Sequence, residues 1–349
     1  MKKSRKSRLQ SRADSVLVSG DNAGWALDEE AVELKNTLSR VGILVAKGSC
    51  YPAKAVFHMN RGRCLRNVWL GEKLFHGKIG LSYYHGMPST SEHFAALFSR
   101  LQKARNLIDG IRVSTTAMES LMLNEGFAGK VQRIPIGIDI DRFPLRDPES
   151  RASARERLGI PSDASVIGSF QKDSDGWGDG TVPKLVKGPD ILAESLITLS
   201  KSVPDLFVLL AGPARGYLVG RLSDAKIRHL SLGVVPSSRI PFLYQALDLY
   251  IVSSREEGGP KAFLESFATG VPLVSTPVGQ VIDFATQDSA WISSGFGPEE
   301  IADLSGKALL SGESDAKVMR ARAVAEGLSL KNLDPNWRDF FSRFLSISP

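Results

Sequence analysis

The chain is short of cysteine, lacks any long apolar run, and has no acidic residue near its start. Only Cys50 and Cys64 occur in 349 residues. They show no CxxC spacing and no histidine partners at metal-ligand intervals, which argues against a disulfide scaffold or a zinc site and favours a reducing compartment. The longest unbroken apolar run, 206–211, is six residues, against the roughly 20 that a spanning helix requires. A basic beginning followed only by Val16, Leu17 and Val18 is too short an apolar core for a secretory signal. The expected location is therefore the cytoplasm, either free or peripheral on the cytoplasmic face of a membrane.

The net charge of +6 lies in one place. Lys2, Lys3, Arg5, Lys6, Arg8 and Arg12 carry six positive charges with no acid among them, and without them the chain holds 38 basic and 38 acidic residues. A neutral body with no basic-aromatic stripe excludes a nucleic-acid partner. The tail has two readings: a contact with an anionic membrane surface, worth about 1 kcal/mol per basic residue, or a solubilising end.

The length fits two domains. Short β-rich runs alternate with helical patterns twice over, the mark of parallel sheets covered on both faces. Strands are predicted at 16–19, 43–46, 56–59, 79–84, 112–114 and 131–135, then at 165–170, 206–210, 227–232, 249–253, 273–275 and 290–292. The predicted organisation is a basic tail (1–15), a Rossmann-like domain (16–140), a second Rossmann-like domain (141–325) and a C-terminal helix (326–349) packing back on the first domain. In that helix Trp337, Phe340, Phe341, Phe344 and Leu345 share one face, read as core packing. A glycine-rich stretch, 173–185, reads as a mobile loop, and its Asp173 and Asp175 as acids of that loop; the ligand count of a calcium loop is not met.

The most informative segment is 253–279, SSREEGGPKAFLESFATGVPLVSTPVG. Pro260 suits the first position of a helix whose apolar face is Phe263, Leu264, Phe267 and Ala268, and Gly270 with Pro272 closes it. Gly258 and Gly259 leave room for an anion at the helix start, where partial positive charge accumulates. Glu257 on the loop and Glu265 in the helix could each accept two hydroxyl hydrogen bonds, as a sugar or ribose diol offers; taken singly, each is equally an ordinary surface glutamate. Lys187, followed by Gly188, precedes another helix near the end of the second domain's first strand, the edge at which parallel sheets bind ligands.

This segment resembles glycosyltransferase family 4, whose hallmark is a Glu, seven residues, a second Glu, then a small residue, Gly and Pro; here these are Glu257, Glu265, Thr269, Gly270 and Pro272. RIPIGIDIDRF (133–143), KGPD (187–190) and LYQALDLYIVSS (243–254) are similar to further family elements. The resemblance implies an α/β fold of two doubly wound Rossmann-like domains facing each other across a cleft (GT-B). It also implies retaining transfer from a nucleotide-diphosphate sugar, such as a UDP- or GDP-sugar, to a glycan or glycolipid, with no metal and no cofactor. By the same resemblance Glu257 contacts the donor sugar, Glu265 the ribose and Lys187 the diphosphate, and the catalytic set is Glu257, His85 and Lys187. His85 ends a predicted strand, where a packed histidine is the competing reading; His58, ending another, is its rival. The family's Arg after the glycine of the first strand is absent, since Gly168 is followed by Ser169; Lys172 is the substitute named on sequence. The turn 19–25, SGDNAGW, departs from the family's richer glycine loop, and Gly24 is its candidate for approaching the donor. Asp28, at the helix start, reads as a dipole partner. The competing readings are a nucleotide-sugar epimerase on the same fold and a non-catalytic protein recruited to membrane by the tail.

Overall fold

A computed structural model describes residues 15–21, 26–46, 53–174, 179–310 and 314–346. The chain divides into two compact units, one of residues 1–136 with 330–349 and the other of residues 137–329.

The first unit holds five parallel strands in the order β1 (Val16–Ser19), β2 (Ala55–His58), β3 (Lys78–Tyr83), β4 (Gly110–Val113) and β5 (Val131–Arg133). The predicted strand 43–46 is not a full strand. It runs beside β1 through a single parallel bridge, Val45 to Val16, with Val16 N donating to Leu44 O at 2.8 Å and Ala46 N to Val16 O at 2.9 Å. The chain thus leaves β1 to one side and returns for β2 on the other. The central strands are buried, with Val56, Phe57, Ile79, Leu81, Ile111 and Val113 at 0% exposure, as expected of a sheet covered on both faces.

The helix Asp334–Leu345 completes this unit. Its buried aromatic stripe closes on β2: the ring of Phe57 meets Trp337, Phe340, Phe341 and Phe344 edge-on, with centroids 5.3–6.3 Å apart. Two glycines make the room. A Cβ at Gly80 would stand 2.7 Å from Phe57 and 3.0 Å from Phe344, and one at Gly110 only 2.8 Å from Phe344.

The second unit holds six parallel strands: β6 (Ser165–Ser169), β7 (Leu206–Leu210), β8 (Arg228–Ser231), β9 (Leu249–Val252), β10 (Leu273–Ser275) and β11 (Trp291–Ile292). Their spatial order is β11-β10-β9-β6-β7-β8. The chain starts in the middle at β6, builds outward through β7 and β8, then crosses back to β9 and builds the other way. Connections leaving β6 and β9 therefore diverge and open a crevice above the carboxyl ends of those two strands, the topological switch point of a doubly wound sheet.

Phe344→Ala should cost about 3–5 kcal/mol, as for an aromatic deleted from a packed core. Denaturant unfolding of the full chain followed by tryptophan fluorescence is expected to show one destabilised transition and one unchanged, because the stripe belongs to only one unit.

Candidate functional site

Three segments meet at the switch point of the second unit: the exit from β6, the turn before the helix Pro189–Leu199, and the loop after β9. Gly188 decides how closely they approach. Its φ of +62° lies in the left-handed region, and a Cβ there would fall 1.8 Å from the carbonyl oxygen of Ser253; only glycine fits. With the backbones in contact, Lys187 O accepts from Gln171 Nε2 at 3.1 Å and from Ser253 Oγ at 3.4 Å. Lys187 Nζ then donates to Glu257 Oε1 at 2.6 Å, and Ser254 Oγ donates to the same oxygen at 2.9 Å.

The pair has its own supports. Arg255 N donates to Val186 O at 2.9 Å, and its guanidinium grips Asp190 bidentately at 2.8 and 2.6 Å. This fork holds the Asp190 carboxyl below its usual range and raises the Arg255 pKa in turn. From the β10 side, Thr276 Oγ1 donates to Ser254 O at 2.6 Å. Gly279, at φ +49°, lies so close that a Cβ would sit 2.7 Å from Glu257 O. Gly258 is buried and Gly259 half-buried immediately before the helix Lys261–Thr269. Pro260 is not the first helical residue, as its position suggested, but the cap: its ψ of 117° leaves it extended.

Glu265 sits inside that helix on a prepared surface. Tyr244 Oη donates to its Oε2 at 3.0 Å, and Tyr244 stacks on Tyr250 with centroids 5.3 Å apart. Burial, and then the negative charge of Glu265, push the Tyr244 pKa well up, so the phenol remains a donor. Tyr250 Oη in turn accepts from Phe170 N at 2.7 Å, tying β9 to the exit of β6.

The cation nearest Ser169 is one that sequence reasoning missed. Arg215, buried before the helix Gly216–Asp224, donates to Ser169 Oγ at 3.1 Å and to Gln171 O. Its Nε lies 3.4 Å from Asp173 Oδ2. Asp173 is thus no exposed loop acid: it is fully buried, and burial raises its pKa to about 6. The carbonyls of Asp179 and Gly180 accept from Gly216 N and Tyr217 N, each at 2.7 Å, so the loop closes the first turn of that helix. No sequence signal links position 215 to 169; β7 lying beside β6 does. Lys172 is half-buried just past Gln171.

The other predicted residues lie in the first unit. His85 follows β3 and is half-buried. Its ring meets Phe94 edge-on at 5.6 Å, and its carbonyl accepts from Arg61, whose guanidinium lies 4.5 Å above the Tyr83 ring. His58 is engaged internally, its Nε2 2.8 Å from Glu72 Oε2. Asp28 Oδ1 accepts from Asp21 N at 3.0 Å and fills the space where a Gly20 side chain would stand. Gly24 lies outside the described residues.

The second unit is a doubly wound sheet with a lysine–glutamate pair and two glycines at its switch point, and the chain has the GT-B fold. It superimposes on Anabaena Alr3699/HepE in complex with UDP and glucose (TM-score 0.75, 14% identity, covering 93% of this chain and 98% of that one). It likewise superimposes on WaaG, a glycosyltransferase involved in lipopolysaccharide biosynthesis (TM-score 0.70, 16% identity, 94% and 99%). Residues 183–323 match the family Glycosyl transferases group 1. In sequence the chain is 33% identical over 160 residues to the lipopolysaccharide core biosynthesis mannosyltransferase LpsB of Rhizobium meliloti (44% of this chain, 42% of that one). It is 28% identical over 214 residues to a D-inositol 3-phosphate glycosyltransferase of Corynebacterium urealyticum (57% and 48%). The chain spans less than half the length of these two relatives.

Gly188→Ala should destabilise the second unit by at least about 2 kcal/mol, since strain and a backbone clash act together, whereas an alanine at Gly220, inside the helix Gly216–Asp224 where a Cβ meets nothing, should raise the melting temperature slightly, by the roughly 0.5–1 kcal/mol that a helix gains from alanine over glycine. The raised Asp173 pKa fixes a second outcome. The folded state binds this proton more tightly than the unfolded state, so the carboxyl's cost to stability is fully present above about pH 6 and vanishes as pH falls to the ordinary carboxylate value. Asp173→Asn should therefore melt above wild type at neutral pH, and the difference should close as the pH is lowered through this window; a constant difference would refute the assignment.

Proposed function

We propose that the protein is a retaining glycosyltransferase that moves a sugar from a nucleotide-diphosphate donor, a UDP- or GDP-sugar, to a hydroxyl of a glycan or glycolipid without a metal ion. The observation that carries this reading is the 2.6 Å contact between Lys187 and Glu257 at the switch point. An ammonium and a carboxylate there match the two halves of such a donor, the anionic diphosphate and the hydroxylated sugar. That WaaG is a glycosyltransferase and LpsB a mannosyltransferase, and that HepE binds UDP and glucose, supports the class of reaction.

In this reading Lys187 and the amide-rich start of the helix after Gly258 and Gly259 hold the diphosphate. Glu257 takes the sugar hydroxyls, and Glu265, oriented by Tyr244, takes the ribose diol. Lys172 stands with Lys187 as a second cation on the donor, and Arg215 fixes the strand exit from which Lys172 projects. The bond from the anomeric carbon to the diphosphate oxygen breaks while the acceptor oxygen bonds to that carbon from the same face. The acceptor proton passes to the departing diphosphate, whose growing charge the cations stabilise. His85, at the strand ends of the first unit, is assigned to the sugar or acceptor side, and Gly24 to the turn that approaches the donor. A membrane glycolipid acceptor would give the basic tail a purpose.

Thermal-shift titrations with UDP, GDP, ADP, CMP and their sugars test the donor site. Ligand at 100 times its dissociation constant adds about 2.7 kcal/mol. One nucleotide series should raise the melting temperature, and Lys187→Ala and Glu265→Ala should each weaken binding by about 1.5–3 kcal/mol, the worth of a hydrogen bond to a charged group. Silence of the wild type toward every nucleotide would refute the donor reading. With the productive pair in hand, transfer should persist in a chelator, and proton NMR of the product should show the donor's anomeric configuration.

A further inference from the structure

Arg215 is buried at the exit of β6 without the full set of bonds that a buried guanidinium normally makes. The same unit supplies the contrast. Arg155, at the start of β6 and 2% exposed, uses every nitrogen: Nε on Ala246 O, Nη1 on Ser162 O and Ala164 O, and Nη2 on Asp248. Arg215 is 4% exposed, yet among the described residues its Nε and both carboxylate oxygens of Asp173 lack a hydrogen-bond partner. The preceding residue, Ala214, holds φ +53°, a left-handed backbone that strains any residue with a side chain. A buried charge pair without hydrogen bonds is a poor source of stability, and costs of this kind collect where a fold serves function.

What the pair does hold is the backbone that carries Lys187, by two routes. In the first, Arg215 Nη1 donates to Gln171 O, and Gln171 Nε2 donates to Lys187 O at 3.1 Å. In the second, Asp173, whose carboxylate faces Arg215, accepts with its main-chain carbonyl from Lys184 N at 2.8 Å, and Lys184 O accepts from Lys187 N at 2.7 Å. Arg215 Nη2 also donates to Ser169 Oγ at 3.1 Å, so the same guanidinium fixes the last residue of β6. From the opposite side Arg255 N donates to Val186 O and Arg255 Nη1 to Leu185 O. The turn 184–188 is thus held between the exit of β6 and the loop after β9, and the buried pair commands the first of these two attachments.

We propose that Arg215 and Asp173 are positioning residues for Lys187: together they set where the turn 184–188 stands, and so where the lysine's ammonium meets the anionic part of a ligand. Both are buried, and they act through Gln171 and Lys184 rather than by touching the ligand. The inference rests on the donor reading for the identity of that ligand, a nucleoside diphosphate. It does not rest on that reading for the mechanical link itself, which belongs to the fold. A pair kept only for stability would change folding and binding together; a positioning pair changes binding only while Lys187 is present to be positioned.

The test is a mutant cycle on the full chain, read by calorimetric titration with UDP and GDP. Gln171→Ala cuts the first route at a half-buried side chain. Arg215→Met combined with Asp173→Asn removes both charges at once, a change that should leave the melting temperature near or above that of wild type. Each variant should bind the nucleotide that wild type prefers about tenfold more weakly, the scale of coupling within one network. In a Lys187→Ala background the same changes should have no further effect. Without nucleotide, amide hydrogen exchange at residues 185–188 should be faster in both variants. An equal loss in the Lys187→Ala background, or wild-type affinity in both variants, would overturn the proposal. If wild type binds neither nucleotide, the donor reading fails and exchange decides alone: faster exchange at 185–188 supports the positioning role, and unchanged exchange refutes it.

Discussion

The absence of a side chain at Gly188 is the constraint on which the second unit's site depends. A hydrogen at that position allows the backbone before the helix Pro189–Leu199 to touch the carbonyl of Ser253. The polar contacts between the turn at Lys187 and the loop after β9 follow from this approach. Lys187 reaches Glu257, Arg255 reaches Asp190, and Gln171 reaches the lysine's own carbonyl. The ion pair is short because the loops are locked; two charged side chains free in solvent would contribute little.

The architecture was legible because the strands of a sheet covered on both faces are short, continuous apolar runs, and such runs survive without context. 16–19, 206–210 and 273–275 fall on their observed limits. Segment 43–46 misled because it has the composition of a strand but pairs through one bridge only, a matter decided by its neighbour β1 rather than by its own residues. The order and spacing of Lys187, Glu257 and Glu265 could be read from motif alone. Their supports could not. Arg215 meets Ser169, and Tyr244 meets Glu265, through strand and helix adjacencies that no local pattern encodes.

Buried guanidinium groups recur as joints between elements. Arg155 spans Ala246 O, Ala164 O and Asp248, whose carboxylate also accepts from Val166 N, so one side chain ties the starts of β6 and β9 together. Arg112 donates to Ile134 O and lies under the rings of Tyr84 and Trp337. Arg215 does the same at the other end of β6. A planar, permanently charged fork offers five donors in fixed directions, where a lysine offers three from a single point. At Asp173 burial costs the carboxylate more than the neighbouring Arg215 charge returns, and that is why its pKa is raised.

The aromatic helix Asp334–Leu345 is last in sequence yet completes the first unit, so the chain leaves that unit after residue 136 and rejoins it at 330. During synthesis the second unit is therefore fully made before the first possesses the rings that cover Phe57. Domains fold as units when their residues become available, so the first unit cannot close before residues 137–329 have been made, and the usual precedence of the N-terminal unit is lost. A chain cut after residue 330 would carry the whole second unit and a first unit without its aromatic cover, so the first unit is the part of the chain that stays incomplete longest during synthesis.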